Sequence, residues 1–271
     1  MVKAIILDLD GTVYLGDKEV PGAAEFVRRC HGAGIHCLFV TNRSNRPPEE
    51  VAAQLRGYGI PCGRGDVLTS AQATAKYLCS IDLRSVQKTI PPKAMPCSAF
   101  LIGETGLIEA MREEGIRIVS DPEDRPCAVV VSYDREFSYA KLAVATRWIS
   151  EGARFIATNP DKKLKVAGRT LPGTGALVAA VQTATGVAPE YVGKPERLIF
   201  DMALSLAGCR ADEALSVGDL LDTDIRGSNA AGIPSVLMLT GVSTRADLDT
   251  SPHRPAHVCD TFADLTALVF G

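Results

Sequence analysis

The sequence has no long hydrophobic run and no excess of positive charge. Its 271 residues carry a net charge of −3, which gives no electrostatic reason to expect nucleic acid or a membrane surface as a partner. No apolar stretch approaches the roughly 20 residues that a membrane-spanning helix needs. The first apolar run has only four residues, Ala4 to Leu7. We therefore expect no signal peptide and a cytoplasmic location.

The sequence also has few of the side chains that bind zinc. Its eight cysteines form no Cys-x-x-Cys pair, and only four histidines accompany them, so we expect no zinc site. Several cysteines lie in apolar segments, where a free thiol packs as a small hydrophobic side chain. The chain is 46% hydrophobic and 23% charged, which is typical of a globular protein with a sizeable core.

Short apolar runs alternate with helical patterns along most of the chain. This alternation predicts an α/β protein with a doubly wound parallel sheet. The predicted strands are residues 4–7, 35–40, 99–102, 116–119, 128–131, 154–157, 214–217, 234–239 and 256–258. The main predicted helices are residues 23–31, 71–79, 104–114, 139–150, 174–185, 196–207 and 262–269.

Two interruptions in this alternation indicate a second domain. Around residues 80–96 the pattern gives way to Lys, Pro and isolated apolar residues, and a return crossing is expected near 168–175. We therefore predict one domain formed by residues 1–80 and 176–271, with residues 81–175 inserted as a second domain.

Acidic side chains follow the first strand, where ligands bind in open α/β sheets. Asp8 and Asp10 come directly after residues 4–7, and two buried acids are costly without a cation or a proton. Taken alone, Asp-x-Asp-Gly would be a solvated turn. A helix-flanked calcium loop is excluded because Gly11 is not at the sixth position of such a loop.

Three further groups of polar residues fall at or just past strand ends. Thr41 follows the second strand, Lys194 precedes a predicted helix, and a cluster of acids begins at Asp219. Considered singly, Thr41 could lie in a turn, Lys194 could be a surface charge, and the acids from Asp219 onward could cap the helix that follows. Together with Asp8 and Asp10, they supply a nucleophile, a metal site, a hydroxyl donor and a cation, which are the components of phosphoryl transfer.

The ordered set of motifs resembles the haloacid dehalogenase (HAD) superfamily of hydrolases, subfamily IIA, which contains NagD-like proteins and p-nitrophenyl phosphatases. The resemblance spans nearly the whole chain. It rests on the segments at residues 8–16 (DLDGTVYLG), 40–42 (VTN), 192–195 (VGKP) and 218–224 (GDLLDTD), with further similarity at 158–161 (TNPD) and 171–175 (LPGTG).

The resemblance implies a Rossmann-like core with an inserted α/β cap of type C2. It also implies a Mg²⁺-dependent phosphatase that hydrolyses a small phosphorylated metabolite, such as a sugar phosphate, a nucleotide or an aryl phosphate, through an aspartyl-phosphate. Asp8 would be the nucleophile, Asp10 would act first as acid and then as base, and Lys194 would neutralise developing charge.

The resemblance further implies ligands for metal and substrate. Mg²⁺ would be held by Asp8, the backbone carbonyl of Asp10 and Asp219, with Asp224 orienting these ligands and the role of Asp222 left open. Thr41 and Asn42 would bind the phosphoryl group, and Asn159, with Asp161, would face the substrate from the cap.

Two alternatives stay open at this point: a phosphomutase of the same fold, and a receiver-like phospho-accepting signalling domain. A third, a sugar-phosphate binding protein without catalytic activity, is disfavoured because no catalytic position is missing. A homodimer is compatible with the family likeness. The chain departs from its relatives at Arg43 and Ser44, where they often carry Asn-Ser, and in the basic stretch at residues 162–169. Both departures are expected near the substrate, so the resemblance leaves the substrate itself unidentified.

Overall fold

The computed structural model describes residues 2–81, 97–121, 123–166 and 169–271. The chain divides into two compact units. The first unit comprises Met1–Thr41, Pro48–Leu68 and Lys194–Gly271, and the second comprises Asn42–Pro47 and Thr69–Gly193. The crossing predicted at residues 80–96 lies almost entirely outside the described residues.

Strands and helices alternate along the described chain. The strands are β1 Ala4–Leu7, β2 Tyr14–Leu15, β3 Lys18–Glu19, β4 His36–Thr41, β5 Val67–Thr69, β6 Ser98–Ile102, β7 Arg117–Val119, β8 Ala128–Val131, β9 Arg154–Ala157, β10 Lys163–Val166, β11 Arg169–Pro172, β12 Glu190–Tyr191, β13 Ala214–Gly218, β14 Ser235–Met238 and β15 His257–Cys259. The helices are α1 Ala23–Gly32, α2 Pro48–Gly57, α3 Ser70–Ser80, α4 Thr105–Glu113, α5 Tyr139–Ser150, α6 Thr174–Thr185, α7 Arg197–Ala207, α8 Arg226–Ala230, α9 Arg245–Thr250 and α10 Phe262–Phe270.

A six-stranded sheet in the order β15-β14-β13-β1-β4-β5 forms the centre of the first unit. β1 is entirely buried and pairs in parallel with both β13 and β4. The chain adds β4 and β5 on one side of β1, and later adds β13, β14 and β15 on the other. The order therefore reverses between β1 and β13, which is where open α/β sheets bind ligands.

Helices α1 and α10 cover part of this sheet. The rings of Phe26 and Phe262 lie 5.6 Å apart, centroid to centroid, within a core that also contains Ile5, Phe39 and Val236. Thr261 caps α10 by accepting a hydrogen bond from the backbone N–H of Asp264 at 3.3 Å. Such packing of apolar helix and sheet faces is the main favourable contribution to folding.

The second unit has its own five-stranded sheet, in the order β12-β9-β8-β6-β7, and its own core. Trp148 and Phe155 are buried in that core. Helix α3 packs against α4, and α6 packs against α5 and β8. These contacts explain why α3 and α6 belong to the second unit. The ranges predicted for the first domain, 1–80 and 176–271, differ from this division because they include α3 and all of α6 after its first two residues.

The predicted fold class, an α/β protein with parallel sheets, is confirmed. Within the part of the chain that the structure describes, no helix is both long enough and apolar enough to cross a membrane.

Candidate active site

Asp8 and Asp219 stand at the carboxyl ends of the neighbouring strands β1 and β13. The backbone N–H of Asp8 donates to the carbonyl of Val217 at 2.9 Å, continuing the parallel pairing of these strands by one residue. Asp219 follows Gly218, the last residue of β13, and is fully buried. The register of the sheet therefore brings two carboxylates from distant parts of the sequence to one edge.

Lys194 and Asp224 complete a buried cluster with these two acids. The Lys194 ammonium donates to Asp224 Oδ1 at 2.7 Å and also contacts Asp8 Oδ1. Asp224 lies on a π-helical turn, Leu221–Ile225, and its second oxygen accepts from the backbone N–H of Leu220 at 3.1 Å. Both oxygens of Asp224 are thus occupied, which suits a residue that orients its neighbours.

The loop at residues 240–243, after β14, forms hydrogen bonds that fix the position of Asp219. The hydroxyl of Thr240 donates to the carbonyl of Gly11 at 2.7 Å, and the N–H of Val242 donates to Asp219 Oδ2 at 2.6 Å. The N–H of Ser243 donates to the backbone carbonyl of Asp219 at 3.2 Å. Asp219 Oδ1 is buried and has no hydrogen-bond partner among the described residues.

Two glycines leave room for the Asp219 carboxylate. A Cβ added at Gly241 would lie 1.9 Å from Asp219 Oδ2, and one added at Gly11 would lie 2.3 Å from the same oxygen. Gly11 also has a φ of +91°, which side-chain-bearing residues rarely adopt. The sequence motif therefore needs glycine after Asp10 for both backbone conformation and space.

The charges in this cluster do not balance, because three carboxylates surround one ammonium. Burial, opposed by Lys194 and reinforced by Asp224 and Asp219, raises the pKa of Asp8 well above its usual range. Burial, with help from Asp224, raises the pKa of Asp219 to about 7. Burial alone would lower the pKa of Lys194, but the neighbouring Asp224 and Asp8 raise it.

A divalent cation fits this arrangement. Single carboxylate oxygens of Asp8, Asp219 and Asp224 all lie within 4.8 Å of one another. Carboxylate oxygens are the ligands that hard cations such as Mg²⁺ prefer, and Asp219 Oδ1 is a buried acceptor without a partner among the described residues. Asp222 is exposed and is not part of this cluster.

The remaining residues predicted for the first unit lie near the same strand ends. Thr41 is buried as the last residue of β4, which pairs directly with β1. Asp10 is half-buried, and the Tyr14 hydroxyl donates to its carboxylate at 3.4 Å. The structure thus places Thr41 and Asp10 at the carboxyl ends of β4 and β1.

Asn42 and Asn159 belong to the second unit, where they contact each other. The Asn159 amide donates to the backbone carbonyl of Asn42 at 2.9 Å, and the Asn42 amide donates to Asp161 Oδ2 at 3.0 Å. Asn159 is buried, and its hydrogen bond to the carbonyl of Asn42 anchors the chain there. A role of Asn42 and Asn159 in binding substrate stays a prediction.

Sequence reasoning missed the 240–243 loop. The signal that could have identified it is its position: Thr-Gly directly follows a predicted strand of the same parallel sheet, so it reaches the same edge as Asp8 and Asp219. The loop makes its contacts through backbone N–H groups and one hydroxyl. These contacts need no charged residue and no recognisable motif, so the loop sequence alone does not predict them.

Comparisons with known proteins agree with this geometry. Residues 5–117 match the family described as haloacid dehalogenase-like hydrolase, and residues 191–265 match a second family of HAD-like hydrolases. An acid sugar phosphatase of Staphylococcus aureus is 37% identical over 267 residues, covering 98% of this chain and 96% of that protein.

Solved structures show the same fold over nearly the whole chain. A glycerol phosphate phosphatase of Mycobacterium tuberculosis, in complex with magnesium, has a TM-score of 0.87 and 36% identity, over 97% of this chain and 76% of that one. NagD of Escherichia coli K-12 has a TM-score of 0.86 and 31% identity, over 97% and 98% of the two chains. The chain therefore belongs to the haloacid dehalogenase-like hydrolases, in the NagD-like subfamily IIA, and is a phosphoric monoester hydrolase.

Proposed function

We propose that the protein is a Mg²⁺-dependent phosphatase that hydrolyses small phosphate monoesters through an aspartyl-phosphate on Asp8. The observation that carries the proposal is the buried cluster at the ends of β1 and β13, in which Lys194 contacts Asp8 and the Asp219 oxygen is without a partner among the described residues. The relatives include an acid sugar phosphatase and a glycerol phosphate phosphatase by name, which supports a small polyol or sugar phosphate as substrate.

In the first step, a carboxylate oxygen of Asp8 attacks the phosphorus atom. The bond between phosphorus and the ester oxygen breaks, its electron pair goes to that oxygen, and the Asp10 carboxyl supplies the proton. Lys194 holds positive charge beside Asp8, and the Thr41 hydroxyl binds a phosphoryl oxygen, so both oppose the negative charge that builds up in the transition state.

In the second step, the Asp10 carboxylate takes a proton from water as the water oxygen attacks the aspartyl-phosphate. The bond between phosphorus and the Asp8 oxygen breaks, which releases inorganic phosphate and restores the Asp8 carboxylate. Water replaces a second alcohol as acceptor in this scheme, which distinguishes the phosphatase from the phosphomutase alternative.

Asp8, Asp219 and the backbone carbonyl of Asp10 would hold Mg²⁺, and Asp224 would orient Asp8 through Lys194, which contacts both carboxylates. When bound, Mg²⁺ would supply positive charge that keeps the Asp8 and Asp219 carboxylates ionised and opposes negative charge on the phosphoryl group.

Removing divalent cations should abolish turnover of p-nitrophenyl phosphate, and adding Mg²⁺ should restore it. Mg²⁺ should also raise the melting temperature, because a ligand at 100 times its Kd stabilises a fold by about 2.7 kcal/mol. This stabilisation should disappear in Asp219→Asn and persist in the matched control Asp222→Asn. Full turnover in excess chelator would contradict the metal requirement.

The substitution Gly241→Ala should weaken Mg²⁺ binding by about 10–100-fold, the usual effect of disturbing groups that orient a metal ligand. The new Cβ would lie 1.9 Å from Asp219 Oδ2 and must displace it. Isothermal titration calorimetry with Mg²⁺ alone measures this effect without reference to activity.

Gly57→Ala is the control for this experiment. Gly57 ends helix α2, and no atom beyond its chain neighbours and the adjacent backbone of its own helix lies within 4 Å of a Cβ added there, so Mg²⁺ affinity should be unchanged. Equal affinity in Gly241→Ala and wild type would show that the 240–243 loop does not set the position of Asp219.

A further inference from the structure

A short loop after β1 brings the side chains of Asp10 and Tyr14 together. The carbonyl of Leu9 accepts hydrogen bonds from the N–H groups of Val13 at 2.9 Å and of Tyr14 at 3.1 Å. The N–H of Gly11 donates to the carbonyl of Tyr14 at 2.9 Å, and Asp10 and Tyr14 form a β-bridge. These bonds close the loop on itself, so the loop conformation fixes how Tyr14 lies beside Asp10.

The ring of Tyr14 is held in the core of the first unit. Tyr14 is 2% exposed, and its ring centroid lies 5.8 Å from that of Tyr58. Tyr58 follows helix α2, and its hydroxyl accepts a hydrogen bond from the Gln54 amide at 3.0 Å. A ring that is buried and packed against a second ring has few orientations open to it. The phenol oxygen of Tyr14 is therefore held in one place, beside Asp10.

The Tyr14 hydroxyl donates to one particular oxygen of Asp10. The acceptor is Asp10 Oδ2, at 3.4 Å. This separation is long for a hydroxyl donor, and hydrogen bonds of catalytic groups often shorten only when substrate binds. In a neutral carboxyl group the oxygen without the proton is the better acceptor, so a donor at Oδ2 favours the proton on Oδ1. The hydroxyl thereby distinguishes two carboxyl oxygens that are otherwise equivalent.

We infer that Tyr14 positions the Asp10 carboxyl group for proton transfer. The inference rests on the proposed role of Asp10 as acid and base. In the first step the Oδ1–H bond breaks as the ester oxygen takes the proton, and in the second step Oδ1 takes a proton from the attacking water. Tyr14 is a positioning residue, because it acts through Asp10. Small displacements of a catalytic group can lower a rate by up to about 10²-fold.

The substitution Tyr14→Phe keeps the ring and removes only the hydroxyl. Phenyl phosphate and p-nitrophenyl phosphate differ only in the nitro group, and phenol leaves less readily as an anion than p-nitrophenol. Tyr14→Phe should therefore lower kcat/KM for phenyl phosphate by about 3–10-fold, a fraction of what general acid–base catalysis supplies. It should lower kcat/KM for p-nitrophenyl phosphate less. The readout is the ratio of the two values, since a loss of folded enzyme lowers both equally.

Tyr58→Phe is the matched control for this experiment. It removes a phenol hydroxyl from the other member of the same ring pair, and that hydroxyl bonds Gln54. The ratio of kcat/KM values in Tyr58→Phe should equal that of wild type. An unchanged ratio in Tyr14→Phe, or an equal change in Tyr58→Phe, would overturn the inference.

A double-mutant cycle with Asp10→Asn tests whether Tyr14 acts through Asp10. An amide has no proton to give to the leaving oxygen, so Tyr14→Phe should not change the ratio further in the Asp10→Asn background. An equal effect of Tyr14→Phe in wild type and in Asp10→Asn would overturn the inference. A wild-type ratio in Asp10→Asn alone would instead overturn the proposed acid–base role of Asp10, so the two failures are distinguishable.

Discussion

Asp8→Asn should lower turnover of p-nitrophenyl phosphate by about 10⁴-fold or more, as expected when a covalent nucleophile is removed. The fold should survive this change. Burial and two neighbouring carboxylates raise the pKa of Asp8, so its charged form is disfavoured in the folded protein without a metal. The melting temperature of Asp8→Asn in chelator should therefore equal or exceed that of wild type.

Asp222→Asn tests whether any carboxylate of these motifs would give the same result. Asp222 is exposed and lies outside the acidic cluster. The turnover of Asp222→Asn should therefore stay within about twofold of wild type, because surface substitutions generally have small effects. Turnover of Asp8→Asn near the wild-type rate would exclude Asp8 as nucleophile.

Asp10→Asn should separate the two chemical steps. General acid–base catalysis is typically worth about 10²–10⁴-fold, and an alkyl phosphate should lose this factor in its first step because its alcohol leaves poorly without a proton. Nitrophenolate leaves readily as an anion, so the first step with p-nitrophenyl phosphate should be slowed less. The second step still needs the base, and we expect a burst of nitrophenolate followed by slow turnover.

Rapid-mix kinetics with p-nitrophenyl phosphate and glycerol 3-phosphate measure this difference. The burst amplitude should approach one equivalent per active site with the aryl ester. Equal slowing of the aryl and alkyl substrates, without a burst, would indicate that Asp10 is a structural carboxylate that takes no part in proton transfer.

The sheet and the acidic cluster of the first unit could be predicted because local signals encode them. The run at Ala4–Leu7 is apolar at every position and ends at an acid, and Ala214–Gly218, apolar except for Ser216, likewise leads directly to Asp219. Once both segments are identified as parallel strands, their acids must meet at one edge of the sheet.

The boundaries between the two units could not be predicted in the same way. Helix α3, Ser70–Ser80, has the same local pattern whichever sheet it covers, and only its packing against α4 assigns it to the second unit. The same holds for α6, Thr174–Thr185. A hydrophobic periodicity shows that a helix has a buried face but does not identify the element that covers it.

Long-range hydrogen bonds within each of the two units could not be predicted from the sequence either. Val242 holds Asp219 through its backbone N–H, and any residue except proline could donate that bond. Ser44 and Ser132 meet although 88 positions separate them. Asn159 was predicted to face the substrate. Its buried hydrogen bond to Asn42 could not be predicted, because the sequence indicates only that a polar residue follows a strand.

Phosphorylation of Asp8 can be observed in the intact mass of Asp10→Asn that is quenched during turnover of p-nitrophenyl phosphate. We predict that the protein gains the mass of one phosphoryl group, that peptide mapping places it on Asp8, and that Asp8→Asn/Asp10→Asn gains none. An unmodified Asp10→Asn protein during the burst phase, or a phosphoryl group on any other residue, would exclude Asp8 as the residue that becomes phosphorylated.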